Sequence, residues 1–170
     1  MDTWKAIDGA TAQGARAMLL AACGSARWAD RMLDHRPFGG REALLARARE
    51  VWFGLDEQDW LEAFREHPQI GDRESLRRRF PATHRRARRE QAGIDHAGND
   101  VREALAAGNR HYLDKFGYIF IVCATGKTAE DMLALLRARL GNDPGVEIAI
   151  AAEEQAKITA LRLASGNPAA

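Results

Sequence analysis

The chain has 170 residues, of which 46% are hydrophobic and 29% charged, and its formal net charge is +1. This length suits one domain with a sizeable core, and the near-neutral charge predicts no general attraction to nucleic acid. No run of about 18 apolar residues is present and the first residues lack the layout of a signal peptide, so we expect a cytoplasmic protein. In that compartment Cys23 and Cys123 are predicted to be buried thiols.

Helix-start and helix-stop signals divide the first half of the chain. Ser25 is placed to cap a short helix that Pro37 ends. A longer helix is predicted after the glycine pair at 39–40, and a third one after Asp56, which is a good N-cap. This third helix should stop at His67, because a proline disfavours helical geometry in the residue before it.

Helical patterning continues through the second half. The basic stretch at 73–91 is expected to form one or two helices broken near Pro81, and residues 101–116 continue as helix. Thr128 is placed to cap the next helix. The last helix is expected to start at Asp143-Pro144, where the proline occupies a position that needs no N–H donor.

One apolar segment departs from this pattern. Residues 118–124 are rich in β-branched and aromatic side chains and on propensity alone form a buried strand. Because no second strand is available for pairing, we expect extended backbone that threads through a helical core, with a bound ligand satisfying some of its polar groups. The predicted fold class is all-α: a single-domain helical bundle over residues 1–165 with an extended apolar segment near 118–124. A flexible tail is expected at 166–170.

His67 is the first candidate for chemistry. It is expected at the end of a helix and is followed by a proline, so its ring is held at a rigid corner. A helix C-terminus favours the protonated imidazole, which raises its pKa toward neutrality and suits a general acid. A histidine that only caps the helix explains the same corner, and the corner alone favours that role.

Charged residues further along the chain have two interpretations. The basic run at 73–89 contains Arg73, Arg77, Arg78, Arg79, Arg85, Arg86, Arg88 and Arg89. Such density can mark nucleic-acid binding, but few aromatic residues interleave with it, which favours a solvated face that attracts anionic substrates. Glu90-Gln91 could orient a histidine or could belong to a helix surface. Arg162 could hold a carboxylate or could interact with a helix dipole.

Together, several motifs resemble the family of 2-oxo-4-hydroxy-4-carboxy-5-ureidoimidazoline (OHCU) decarboxylases. The matching segments are Arg36-Pro37-Phe38, His67-Pro68-Gln69-Ile70-Gly71, Glu90-Gln91-Ala92-Gly93, Asn109 with Tyr112, residues 115–124, and Glu154, Lys157, Ile158, Arg162 and Leu163. The resemblance covers nearly the whole chain. It implies an all-α homodimer that acts on a small ureide and needs no metal or organic cofactor.

The resemblance also implies a site. His67 would be the catalytic histidine and Glu90 the catalytic glutamate. The substrate-binding positions would be Pro68, Ala87, Gln91, Phe120, Ile121, Val122, Cys123, Ala124 and Arg162. Position 87 departs from the serine that is frequent in the family, which removes one hydroxyl contact.

The implied reaction is decarboxylation of OHCU to (S)-allantoin in urate catabolism. Two alternatives stand beside it. One is a helical nucleic-acid-binding or regulatory module built on the basic run at 73–89. The other is a ureide-binding protein that has lost catalysis, for which Ala87 is the only indication.

Overall fold

The computed structural model describes residues 2–68 and 91–166, and only the backbone of residues 91–97. These residues form eight α-helices and no strand, which confirms the all-α prediction. The helices are α1 (Thr3–Gly9), α2 (Ala12–Cys23), α3 (Ala26–Leu33), α4 (Arg41–Phe53), α5 (Glu57–Arg65), α6 (Gln91–Phe116), α7 (Ala129–Arg139) and α8 (Pro144–Ser165).

The chain divides into two compact units. Unit 1 comprises Met1–Glu66 with Ile148–Ala170, and unit 2 comprises His67–Glu147. Across the described residues, no helix is both long and apolar enough to cross a bilayer. The predicted single domain over residues 1–165 stays a prediction, and positions 167–170 of the predicted tail lie outside the described residues.

Helix starts in both units follow the predicted capping residues. The side chains of Ser25, Asp56 and Thr128 each accept a hydrogen bond from a backbone N–H in the first turn of the helix that follows. Thr128 and Asp131 form a reciprocal capping box, and α8 begins at Pro144. These starts are set by local hydrogen bonding, so the sequence is sufficient to predict them.

The predicted end of α5 is wrong by two residues. The helix ends at Arg65 rather than His67, and Glu66 is its C-cap. The N–H of Glu66 donates to the Ala63 carbonyl at 3.2 Å. This i→i−3 hydrogen bond tightens and ends the last turn, two residues before Pro68. Helices α1 and α2 were not predicted, and α6 begins ten residues before its predicted start.

Buried tryptophans organise unit 1. The indole N–H of Trp28 donates to the Ala48 carbonyl at 3.0 Å, and that of Trp52 donates to the Ala152 carbonyl at 2.9 Å. Trp60 donates in turn to the Trp52 carbonyl at 3.0 Å. Each of the three indoles therefore keeps its one polar group paired, and the rings of Trp28 and Trp52 are buried in the core.

The Arg36-Pro37-Phe38 motif has a structural role in unit 1. A guanidinium nitrogen of Arg36 donates to the Ala10 carbonyl at 2.6 Å, and the N–H of Phe38 donates to the Asp8 carboxylate at 3.0 Å. These bonds hold the end of α1, where carbonyls have no partner within the helix.

Unit 2 is built on the packing of α6 against α7. A Cβ added at Gly108 would lie 2.6 Å from a terminal methyl carbon of Leu136, so the glycine lets the two helices approach closely. Leu105, Met132 and Leu136 are buried in this unit. The nonhelical segment that follows α6 belongs to the same unit.

Candidate active site

The segment after α6 is nonhelical and largely buried. Residues 119–124 are neither helical nor paired in a sheet. Phe120, Ile121, Val122 and Cys123 have exposed fractions of 8% or less. No residue of this run belongs to a sheet strand, and the extended course expected for its backbone stays a prediction.

Protein donors bind three carbonyl oxygens of this segment. Arg139 Nη1 donates to the Ile121 carbonyl at 2.6 Å, and Lys127 Nζ donates to the Cys123 carbonyl at 2.8 Å. The backbone N–H of Lys127 donates to the Ala124 carbonyl at 3.1 Å. Two of these donors carry full charge, and such hydrogen bonds are shorter and stronger than neutral ones. The backbone is thereby held by side chains where a sheet partner would otherwise hold it.

Arg139 connects this segment to a buried acid. The side chains of Arg139 and Glu147 have exposed fractions of only 8% and 0%, and Arg139 Nη2 lies 2.6 Å from Glu147 Oε1. Arg139 Nε donates to the same oxygen at 2.7 Å, and Asn142 Nδ2 donates to Glu147 Oε2 at 2.8 Å. The Tyr112 hydroxyl is a further donor to Glu147. The buried carboxylate is thus both paired and hydrogen-bonded, as burial of charge requires.

Tyr112 links the same carboxylate to the aromatic side of the segment. Burial and the hydrogen bond to Glu147 raise the pKa of Tyr112 well above its ordinary value, so the hydroxyl keeps its proton. Its ring centroid lies 5.3 Å from that of Phe120, and the Arg139 guanidinium lies 4.6 Å from the Phe120 ring centroid. Phe120 is therefore held through its side chain, while Ile121 is held through its carbonyl.

Arg139 and Glu147 were not identified as candidates from the sequence. Arg139 ends a helix, where a cation is usually explained by the helix dipole. Glu147 lies in the first turn of α8, where an acid is equally ordinary. The only sequence signal was the predicted start of α8, which places Glu147 close to the end of the preceding helix.

His67 lies one residue beyond the C-cap of α5 and is partly buried, and Pro68 is exposed. The residue before it is held by packing within unit 1. A Cβ added at Gly24 would lie 3.0 Å from the Glu66 Cβ, and Gly24 has a φ of +90°, a conformation that favours glycine. Glu66, the residue before His67, is thus packed closely against the end of α2.

Arg162 lies near the end of α8 and is partly buried. Its Nη1 donates to the Ala22 carbonyl at 3.2 Å, at the C-terminal end of α2. A guanidinium has five N–H donors in a fixed fork, so Arg162 can hold this carbonyl and an oxygen of a ligand at the same time. Gln155 Nε2 supports the same corner by donating to the Cys23 carbonyl at 3.4 Å.

A family model described as OHCU decarboxylase matches residues 9–164. The chain belongs to the OHCU decarboxylase family. The resemblance inferred from the sequence motifs is confirmed.

This family member is 41% identical over 143 residues to the uric acid degradation bifunctional protein TTL of Arabidopsis thaliana. That match covers 84% of the chain but only 44% of the relative, so the chain spans less than half of the bifunctional protein. It is 34% identical over 130 residues to the OHCU decarboxylase of Amia calva, covering 75% of the chain and 73% of that protein.

Solved structures agree with the family assignment. The fold matches a crystal structure of OHCU decarboxylase in the presence of (S)-allantoin with a TM-score of 0.70 and 38% identity, covering 87% of this chain and 95% of that one. A structure of (S)-allantoin synthase shares the fold at 20% identity and a TM-score of 0.69, covering 97% of this chain and 54% of that one.

Two of the positions predicted as site residues of this OHCU decarboxylase family member lie outside the described part of the chain. They are Ala87 and Glu90, and the basic run at 73–89 lies there too. Gln91 is the first residue of α6, and only its backbone is described. Among the described residues, no group of three or more His, Cys, Asp or Glu side chains is arranged to hold a metal ion. The predicted absence of a cofactor stays a prediction.

Both cysteines are buried thiols outside any disulfide, as the sequence predicted. Burial raises the pKa of the Cys23 thiol to about 12 from its ordinary value of 9.0. The unfolded chain therefore loses this proton at lower pH than the folded chain, and stability should fall as pH rises above about 9. We expect Cys23→Ala to flatten this fall when unfolding by urea is measured at a series of alkaline pH values. An equal slope in wild type and Cys23→Ala would contradict the prediction.

Proposed function

We propose that this chain decarboxylates OHCU to (S)-allantoin in urate degradation. The observation that carries the proposal is the match of the OHCU decarboxylase family model to residues 9–164. The buried segment at 119–124 supports it, because main-chain groups held in fixed positions suit a small ligand rich in amide and carbonyl groups.

The reaction requires little beyond positioning and proton transfer. In OHCU the carboxylate is attached to a ring carbon next to a C=N bond. When the bond to CO2 breaks, its electron pair moves into that imine, whose nitrogen takes up a proton. The enol formed is then protonated on the neighbouring carbon while the ring hydroxyl loses its proton and becomes a carbonyl. The substrate is its own electron sink, so this chemistry needs no organic cofactor.

The side chains have separate roles in this proposal. His67 transfers the proton to carbon, and Glu90 orients and polarises its ring. Arg162 and Gln91 bind the ureido and ring oxygens, and the backbone at 120–124 lines the substrate pocket together with Pro68. Because the product is chiral at the protonated carbon, these contacts also select the face that receives the proton.

The substrate partner is thus a small ureide, and the homodimer and cytoplasmic location stay predictions. The nucleic-acid alternative finds no support among the related proteins. A ureide-binding protein without catalysis is the remaining alternative.

Turnover of freshly prepared OHCU, followed by circular dichroism, tests the proposal. Spontaneous decay gives racemic allantoin, whereas the enzyme should give an excess of the S enantiomer at a rate proportional to protein concentration. Racemic product formed at the rate of buffer alone would refute the proposed function. Binding of (S)-allantoin without turnover would identify the ureide-binding alternative.

A further inference from the structure

Two cations hold alternate peptide groups of the buried segment at 119–124. Arg139 binds the carbonyl of Ile121 at 2.6 Å, and Lys127 binds the carbonyl of Cys123 at 2.8 Å. We propose that Arg139 and Lys127 are positioning residues for the reaction: they fix and polarise the two peptide groups whose N–H groups, on Val122 and Ala124, donate to an oxygen of the substrate. This inference rests on the proposed function.

Peptide geometry gives the direction of the two N–H groups. The described chain has one cis peptide bond, between Arg36 and Pro37, so the peptide bonds after Ile121 and Cys123 are trans. In a trans peptide group the carbonyl and the N–H point in opposite directions. The N–H of Val122 therefore points away from Arg139, and the N–H of Ala124 points away from Lys127.

A cation on the carbonyl also changes the strength of the opposite donor. Hydrogen bonds in a chain polarise one another, and a charged donor has the larger effect. The Val122 and Ala124 N–H groups are thus made better donors than those of an ordinary loop. Two such donors suit a carboxylate or carbonyl oxygen and do not suit the N–H groups of the ureide.

The guanidinium of Arg139 can bind Glu147 and the Ile121 carbonyl at the same time, which a lysine side chain cannot do in a fixed geometry. Its Nε and Nη2 bind Glu147, and its Nη1 reaches the Ile121 carbonyl in the opposite part of the fork. A lysine at this position would keep a positive charge beside Glu147 and lose the fixed geometry that reaches the carbonyl. The variant Arg139→Lys therefore keeps the positive charge beside Glu147 but removes the hydrogen bond that positions the Ile121 carbonyl.

The test compares Arg139→Lys and Lys127→Met with wild type. For each protein, KM and kcat are measured with fresh OHCU, the Kd of (S)-allantoin is measured by calorimetry, and the amount of folded protein is measured by circular dichroism. We expect KM and Kd to rise about 10- to 100-fold in both variants, because a shift of about 1 Å at a binding group has effects of this size. The enantiomeric excess of the product should fall as well.

Exposed residues of the same types provide the controls. Arg137→Lys changes an exposed arginine on the same helix, and Lys5→Met changes an exposed lysine on α1; both should keep KM and Kd within about twofold of wild type. A purely structural role would reduce the folded fraction and the apparent kcat but leave KM and Kd unchanged.

The outcomes are separable. Unchanged KM and Kd in folded Arg139→Lys or in Lys127→Met would overturn the positioning role of that residue. If Arg139→Lys does not fold, Lys127→Met still decides whether the segment needs its cations, since Lys127 lies outside the buried Arg139–Glu147 pair. Absence of turnover by the wild-type protein would instead refute the proposed function, and this inference with it.

Discussion

Replacement of His67 by asparagine is expected to lower the rate of OHCU turnover by about 10²- to 10⁴-fold, the range that a positioned acid–base group contributes. The protein should stay folded, because His67 lies beyond the C-cap of α5 and is only partly buried. Asparagine retains polarity but cannot exchange a proton near neutral pH. The enantiomeric excess of allantoin is the sharper measurement, because spontaneous decay continues in the absence of catalysis.

A matched control is available in unit 1. His35 is exposed in the turn after α3, and its backbone N–H, rather than its ring, bonds to the Met32 carbonyl. His35→Asn should therefore keep the wild-type rate and enantiomeric excess. If His67→Asn also gave near-wild-type turnover with the S enantiomer in excess, His67 would not be the proton donor.

Replacement of Glu147 by leucine is expected to destabilise the protein by about 3–5 kcal/mol, the usual cost of removing one partner from a buried ion pair. Arg139 would keep its charge in a buried site, and the Tyr112 hydroxyl and Asn142 amide would lose their acceptor. Urea unfolding of wild type and variant measures the difference in the free energy of unfolding. If the slope of that free energy with urea concentration is the same in both proteins, the difference measures a change in stability alone.

Two further variants test whether the loss of stability comes from leaving a buried charge without its partner. In the double variant Arg139→Met with Glu147→Leu no buried charge is left, so it should lose less stability than Glu147→Leu alone. Glu153→Gln breaks the exposed pair between Glu153 and Arg49, whose atoms lie 2.8 Å apart, and should change the free energy of unfolding far less. Comparable losses in Glu153→Gln and Glu147→Leu would show that burial of the pair is not the cause.

The parts of the fold that could be predicted from the sequence are those with local causes. Ser25, Asp56 and Thr128 accept from N–H groups within three residues, so the caps and helix starts are visible in the sequence itself. The same local signal was present at Thr11, which accepts from the Gly14 N–H, and it would have located α2. The seven-residue α1 has no side-chain cap and buries only Ile7, so its signal is weak.

The partners of the nonhelical segment could not be predicted in this way. Arg139 is 18 residues from Ile121 and eight from Glu147, and a turn separates the helices that carry Arg139 and Glu147. No helical or strand periodicity connects such positions. The sequence indicated that the segment needed partners and suggested a ligand. The structure provides side-chain donors for the carbonyls of Ile121 and Cys123 and a backbone donor for that of Ala124.

The candidate site depended on a different kind of argument. Taken alone, the corner at His67 favoured a helix cap, and Arg162 had an equally ordinary explanation at a helix end. Their proposed roles came from the family resemblance. The family model confirms that resemblance, whereas the roles of both residues stay predictions. The catalytic pairing of His67 with Glu90 stays a prediction.

The tryptophans that organise unit 1 give the molecule a spectroscopic asymmetry. All four tryptophans belong to Met1–Glu66, and both tyrosines belong to His67–Glu147. The tryptophans are Trp4, Trp28, Trp52 and Trp60, and the tyrosines are Tyr112 and Tyr118. Indole fluorescence therefore reports on unit 1, whereas tyrosine absorbance reports on unit 2. Urea curves recorded with both chromophores will coincide if the two units unfold cooperatively, and will separate if each melts on its own.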